Sequence, residues 1–278
     1  MMLLPRRLLT RCLLLLFAIV SPLPHSCRTQ LRNRPDTRYM DTIQRDINPT
    51  MRGILVDWLV EVAEEYKLLS DTLYLSANYI DRVLSSMSVV RSELQLVGVT
   101  CMLVAAKYEE IYAPQVEEFC YITDNTYTRT QVVDMERKIL DTLRFELTVP
   151  TTKTFLRRFL TAANAETKVE YLASFLSELT LLEYSFLKFE PSEIAASAVF
   201  LSLFTLNKQQ WSPTLVYYTR YQPSDLRECV EALNKVFQNM RTAALPAIRE
   251  KYSVHKFKCV AQTPPKESPL PAYVWNLF

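Results

Sequence analysis

The sequence predicts an all-α protein, and three observations carry that prediction. The 278-residue chain holds two glycines, Gly53 and Gly98, far fewer than hairpin-rich or phosphate-cradling folds need. Apolar residues recur at helical spacing in one segment after another. The segments also repeat. Tyr74-Leu75 returns as Tyr171-Leu172, an offset of 97 (171 − 74 = 97), and Gly98-Val-Thr, Val132 and Leu140 stand at the same offset from Ala195-Ala-Ser, Cys229 and Phe237. One offset shared by several helices predicts two tandem five-helix units.

The chain opens on a basic, apolar leader over residues 1–35. Arg6, Arg7 and Arg11 precede the run Leu13–Val20 and then Ser21-Pro-Leu-Pro, the form of a secretory signal peptide too short to span a bilayer comfortably. The first unit covers residues 36–148. Its first helix, 48–67, starts at Asn48 as cap with Pro49 at the first helical position, where a missing N–H costs nothing. Met51, Ile54, Leu55, Trp58 and Val62 share one side of it, and Val56, Leu59, Val60 and Ala63 the adjoining side. Asp57, Glu61, Glu64 and Glu65 are left for the solvated arc. An apolar arc this wide marks either a central core helix or a helix with one side open to a partner.

Ser70-Asp-Thr caps a second helix to about residue 86. The third, 92–108, is apolar nearly all round and belongs at the centre of a bundle. Pro114 starts a short fourth helix, and the capping-box pattern Thr128-Arg-Thr-Gln131 opens a fifth to about Leu143. Pro150 marks the boundary to the second unit, 149–258, with helices expected at 151–163, 167–187, 191–206, 212–219 and 224–243. Four prolines between 264 and 271 make residues 259–278 a Pro-rich tail, expected to be extended or mobile.

Composition narrows the function. With 32 basic and 30 acidic residues there is no electrostatic case for nucleic acid. Six cysteines lack CxxC spacing, so free thiols are expected rather than a disulfide framework or a zinc site. The only histidines, His25 and His255, lie in the leader and the C-terminal segment, away from any helix-face constellation, and no Ser/His/Asp order or HExxH occurs. The reading is a binding module without catalytic groups, metal or cofactor. Arg52, Asp81, Lys107 and Glu136 stand out as charges on or beside apolar helices. Each alone has a plain explanation, such as a lysine favoured by the dipole in a helix's last turn.

At Met51-Arg-Gly-Ile-Leu-Val-Asp-Trp-Leu-Val-Glu-Val62 the chain resembles the cyclin box, specifically that of a plant-like A-type cyclin. The resemblance continues through Ser70-Asp-Thr-Leu-Tyr-Leu75, Leu94-Gln-Leu-Val-Gly98, Lys107-Tyr-Glu-Glu-Ile-Tyr112 and Tyr121-Ile-Thr-Asp124, covering about residues 40–258. It implies twin five-helix cyclin folds and a regulatory subunit, not an enzyme, that binds and activates a cyclin-dependent kinase in the cell cycle. The family's kinase-contacting lysine and glutamate fall on Lys107 and Glu136, with Glu110, Leu140 and Phe145 beside them. Its internal ion pair falls on Arg52 and Asp81. Its docking patch for Arg-x-Leu segments of substrates and inhibitors falls on Met51, Ile54, Leu55, Trp58, Glu61, Leu94 and Gln95. Upstream of residue 36 the chain departs from the family: the leader stands where a destruction box and an N-terminal kinase-touching helix are expected. The resemblance implies nucleus and cytoplasm and no membrane, against the signal-like leader. A non-activating adaptor or decoy, lacking that N-terminal helix, is the alternative.

Overall fold

Asn48 accepts a hydrogen bond from the Met51 amide at 2.9 Å, and Pro49 follows at the first helical position; together they start α1, Pro49–Glu65. This helix belongs to a computed structural model that describes residues 29–208 and 211–275. The leader's basic and apolar segments fall on residues 1–28, outside the described residues. Among the described residues there is no strand, and no helix is long and apolar enough to cross a membrane.

A short helix, Tyr39–Thr42, precedes α1, and four more follow it in the first unit: α2, Ser70–Leu84; α3, Leu94–Glu109; α4, Val116–Tyr121; and α5, Arg129–Thr142. The Thr128 and Gln131 side chains cap α5 reciprocally, as the sequence pattern requires. The second unit repeats the order in α6, Thr152–Ala162; α7, Thr167–Leu182; α8, Pro191–Thr205; α9, Pro213–Thr219; and α10, Arg227–Asn239. Ser70 and Thr167, Leu94 and Pro191, and Val116 and Pro213 open corresponding helices at the offset of 97 already visible in the sequence (167 − 70 = 97).

α3 and α8 are the cores of their units, because a helix apolar on every side cannot face water without cost. Val97, Val99, Met102 and Leu103 in one, and Ala195, Ala198, Val199 and Leu201 in the other, are fully buried. Small residues at mid-helix let neighbours close in. A Cβ placed on Gly98 would lie 2.5 Å from Leu55 Cδ1, so the α1–α3 approach depends on that glycine. Gly53 does the same between units, since a Cβ there would meet the Leu182 carbonyl oxygen at 3.2 Å.

At two places where the structure departs from the sequence reading, contacts cross between the units. α7 stops at Leu182 and passes into a 3-10 turn at Tyr184–Lys188, where continuous helix was expected to 187. At that break Arg52 Nη1 donates to the Leu181 carbonyl at 2.6 Å, and Gly53 packs on Leu182. A further helix, α11 (Ala247–Ser253), comes after α10. Its first amide donates to Asp57 Oδ1 at 3.1 Å, so Asp57 is buried as a helix cap rather than solvated. Lys251 on α11 lies 3.2 Å from Glu64 and 3.0 Å from the buried Glu178, whose other oxygen accepts from Tyr252 at 2.7 Å. The tail is also packed: Val260, Ala261, Leu270, Val274 and Trp275 are buried against the second unit.

Burial pushes the Asp57 carboxyl up to about 6, partly offset by the Ala247 amide and reinforced by Glu61 and Glu250. A carboxyl whose folded pKa exceeds its unfolded value, near 4, stabilises the protein below that value. It loses the contribution as pH rises through about 6. Asp57→Asn keeps an acceptor for Ala247 and removes the titration. Urea unfolding at pH 5 and pH 7.5 is therefore expected to show wild type losing on the order of 1–2 kcal/mol more stability than the variant over that interval. Equal changes in the two proteins would contradict the assignment.

Candidate functional site

The end of α3 and one face of α5 form a polar centre with an apolar surround. Lys107, in the last turn of α3, donates from Nζ to both oxygens of Glu136 at 2.6 and 2.8 Å. The lysine side chain is 45% exposed and the glutamate 16%. An open pair of this kind adds at most about 1 kcal/mol to stability. It therefore holds two charges in place without committing the fold to them.

Leu140 lies one turn beyond Glu136 on α5 and is half-buried. Phe145, after the helix end, is 67% exposed. Arg144 and Phe145 are both left-handed, at φ 53° and 57°, and their amides donate to Asp141 and Leu140 carbonyls at 3.0 Å each. Left-handed backbone costs a non-glycine residue on the order of 1 kcal/mol. Here it closes the helix end and turns an aromatic ring outward.

Three residues that the sequence reading did not single out complete the surround. Tyr108 is exposed and bonds through its hydroxyl to Thr148 Oγ1 at 2.7 Å, and Ile111 and Tyr112 are exposed just beyond the helix, Tyr112 at 93%. The signal was present as apolar residues directly after a helix's terminal lysine. Glu110 behaves differently from its neighbours. Its Oε1 accepts from the Leu69 amide at 2.7 Å and the Thr72 hydroxyl at 2.5 Å, so it caps the start of α2 from within the chain.

On another side, α1 and the start of α3 leave a partly exposed apolar strip, the α1 groove. Ile54 and Glu61 are exposed, and Met51, Trp58 and Gln95 are half-buried along it. Leu55 and Leu94 were expected in the open part but are buried, at 5% and 6%. The reason for Leu55 is Gly98, whose missing Cβ admits the leucine against α3. Val56, Leu59, Val60 and Ala63 face the core as expected. The groove thus has an open rim of Met51, Ile54, Trp58 and Glu61 over a closed leucine floor.

Arg52 and Asp81 meet as a buried, two-pronged pair: Nε to Oδ1 at 2.7 Å and Nη2 to Oδ2 at 2.8 Å. Tyr39 donates its hydroxyl to Asp81 Oδ1 at 2.8 Å and packs edge-on against Tyr184 of the second unit. Burial disfavours the charged guanidinium. The doubly bonded carboxylate outweighs it, and Arg52 stays above the ordinary arginine value. Burial, followed by the Asp81 charge, holds the Tyr39 hydroxyl protonated well past its usual range.

Little here suits catalysis. His255 lies 3.8 Å from Cys259 Sγ at the surface, and His25 falls outside the described residues. Cys101, Cys120 and Cys229 are buried free thiols, and burial pushes Cys229 up to about 12. Among the described residues no cluster of His, Cys, Asp and Glu has the arrangement to hold a metal.

The comparisons with known proteins match this architecture. The family pattern described as "Cyclin, N-terminal domain" matches residues 24–148, and "Cyclin, C-terminal domain" matches 150–266. Cyclin-A1-1 of Oryza sativa subsp. japonica is 55% identical over 247 residues, covering 86% of this chain and 49% of the relative. Cyclin-A2-1 of Arabidopsis thaliana is 58% identical over 239 residues, covering 84% and 54%. Putative cyclin-A3-1 of the same plant is 54% identical over 242 residues, covering 84% and 68%. The chain thus spans about half the length of the first two relatives. Among solved structures, a viral cyclin from herpesvirus saimiri shares the fold at TM-score 0.70 and 19% identity, covering 77% of this chain and 95% of its own. Twin five-helix units, family patterns across both and relatives above half identity lead to one conclusion: the chain belongs to the cyclin family and is similar to the A-type cyclins of plants.

Proposed function

We propose that this chain is the regulatory subunit of a cyclin-dependent Ser/Thr kinase in the cell cycle, binding and activating the kinase through the Lys107–Glu136 face. The observation that carries the reading is a paired lysine and glutamate held at the surface, with exposed Ile111, Tyr112 and Phe145 just past the ends of the two helices that carry it. Interfaces take most of their affinity from such centres, where apolar and aromatic anchors exclude water around a few polar contacts. Because the pair adds little to folding, its hydrogen bonds can be redistributed onto a partner at small cost.

Activation on this reading needs no catalytic group from the chain. A rigid helical face that binds the inward position of a kinase's mobile αC helix better than the outward one shifts the population toward it. That position completes the Lys–Glu pair required for phosphoryl transfer. The site of action would be the nucleus and cytoplasm, where such kinases work.

The α1 groove supports a second role, recruitment of Arg-x-Leu segments of substrates and inhibitors. Met51, Ile54 and Trp58 offer apolar contact for the leucine, and exposed Glu61 a carboxylate for the basic residue.

Two measurements test these roles separately. Lys107→Ala/Glu136→Ala is expected to weaken binding to a mitotic or S-phase cyclin-dependent kinase at least ~100-fold by calorimetry and to abolish activation in a phosphorylation assay. Equal activation by wild type and variant would sink the site, and tight binding without activation by wild type would favour the adaptor alternative. Met51→Ala/Trp58→Ala is expected to reduce capture of a labelled Arg-x-Leu peptide at least ~10-fold while kinase affinity is retained. Unchanged peptide affinity would make α1 a core helix only.

A further inference from the structure

The constant offset assigns every residue of the first unit's Lys107–Glu136 face a counterpart in the second. Lys107 corresponds to Phe204 (204 − 107 = 97), Glu136 to Leu233, Glu110 to Asn207, Asp134 to Glu231 and Arg137 to Asn234. The two charges that mark the first face are thus replaced by apolar side chains. The tail makes contacts along this replacement face.

The contacts are specific along the tail. The Lys266 carbonyl accepts from Asn234 Nδ2 at 3.1 Å and from Gln238 Nε2 at 2.6 Å. Lys266 Nζ donates to Asn207 Oδ1 at 3.0 Å and stands 5.5 Å from the Phe204 ring centre. Glu231 takes the Ser268 hydroxyl at 3.1 Å and the Leu270 amide at 2.9 Å. Trp275 stacks on Phe200 with ring centres 5.5 Å apart and planes at 7°, and Leu270 and Val274 are buried. Main-chain carbonyl and amide are each read by side chains, and apolar residues fill the spaces between. A short segment docked on a groove is bound in this way.

Gln30 and Arg34, ahead of α1, also meet the second unit. Gln30 bonds to Glu190 at 2.7 Å and accepts from the Ser192 amide at 3.1 Å, and Ser192 is the counterpart of Gln95 in the α1 groove (192 − 95 = 97). Arg34 donates to the carbonyls of Leu187, Lys188 and Phe189. In the second unit the tail thus bonds across the α8/α10 face, and Gln30 bonds the counterpart of Gln95.

We propose that the α8/α10 face of the second unit is a segment-docking face, held shut in cis by residues 263–275. Its occupant is an extended segment with a leucine and a C-terminal aromatic, recognised through Glu231, Asn234, Gln238 and Phe200. A covalently tethered segment competes at an effective concentration on the order of millimolar. A free copy is therefore excluded unless the tail is released. That the face duplicates a partner-binding face rests on the kinase reading of Lys107 and Glu136. Docking of the tail does not rest on it, and the two are tested by different ligands.

The test uses the full chain and a labelled peptide of residues 260–275. Leu270→Asp puts a carboxylate where a buried leucine sits and should release the tail. In fluorescence anisotropy the variant is expected to bind the peptide at least ~10-fold more tightly than wild type. A folded variant that does not gain binding, or a wild type that binds equally well, would overturn the proposal. Glu231→Ala, which keeps the apolar contacts, gives a second reading if Leu270→Asp does not fold. Tryptic cleavage after Lys266 is expected to speed up several-fold in this variant, and an unchanged rate would count against a docked tail.

Discussion

The Arg52–Asp81 pair is the contact on which the rest of the structure turns. Removing two charges from water costs several kcal/mol per ion, and only excellent geometry with further hydrogen bonds returns it. Both conditions are met. Two nitrogens of Arg52 serve Asp81, the third reaches the Leu181 carbonyl in the second unit, and Tyr39 bonds to the same carboxylate. One guanidinium therefore ties α1 to α2 within the first unit and to the end of α7 in the second. Because Arg52 sits between Met51 and Gly53, it also fixes the rotation of α1. That rotation decides which side of the helix is groove rim and which is core.

Around this contact, a duplicated fold is used asymmetrically. The second unit keeps the helix order and spacing of the first but fills its surfaces differently. Phe204 and Leu233 stand where the first unit has Lys107 and Glu136, and Lys266 of the tail lies against Phe204 and bonds Asn234. α11, held by Asp57 at its start and by the Lys251–Glu64 and Lys251–Glu178 contacts along its length, braces α1 against α7. Among the described residues, the exposed Lys107–Glu136 pair and the open rim of α1 both lie on the first unit. A chain that acts by holding a partner in one conformation needs a firm face, because a yielding one would bind both conformations equally and shift neither.

Most of this architecture was legible in the sequence because it is local. Asn48-Pro49, Thr128–Gln131 and the all-apolar third helices carry their own instructions, and the offset of 97 needs only comparison of the chain with itself. The surface pair Lys107–Glu136 and the buried pair Arg52–Asp81 could be placed through family resemblance, since each alone reads as an ordinary charge on a helix. Contacts from distant segments were not legible. Asp57 looks like a solvated acid on the pattern of α1, and only the arrival of Ala247 makes it a cap. Leu55 looks available until Gly98 is seen beneath it. The prolines of the tail suggest an extended or mobile chain, and the structure shows extended chain held down by Glu231, Asn234 and Gln238.

The most direct test of the account is a mutant cycle on the buried pair, followed by urea unfolding and by native-state hydrogen exchange. Arg52→Met or Asp81→Leu alone is expected to cost on the order of 3–5 kcal/mol, because each strands a buried charge. The double variant should recover much of that loss. In Arg52→Met, amide protection should fall both in α1 and at the end of α7 near Glu183, since the arginine holds both. Loss of protection confined to the first unit, or single variants as stable as wild type, would contradict the claim that this pair joins the two units.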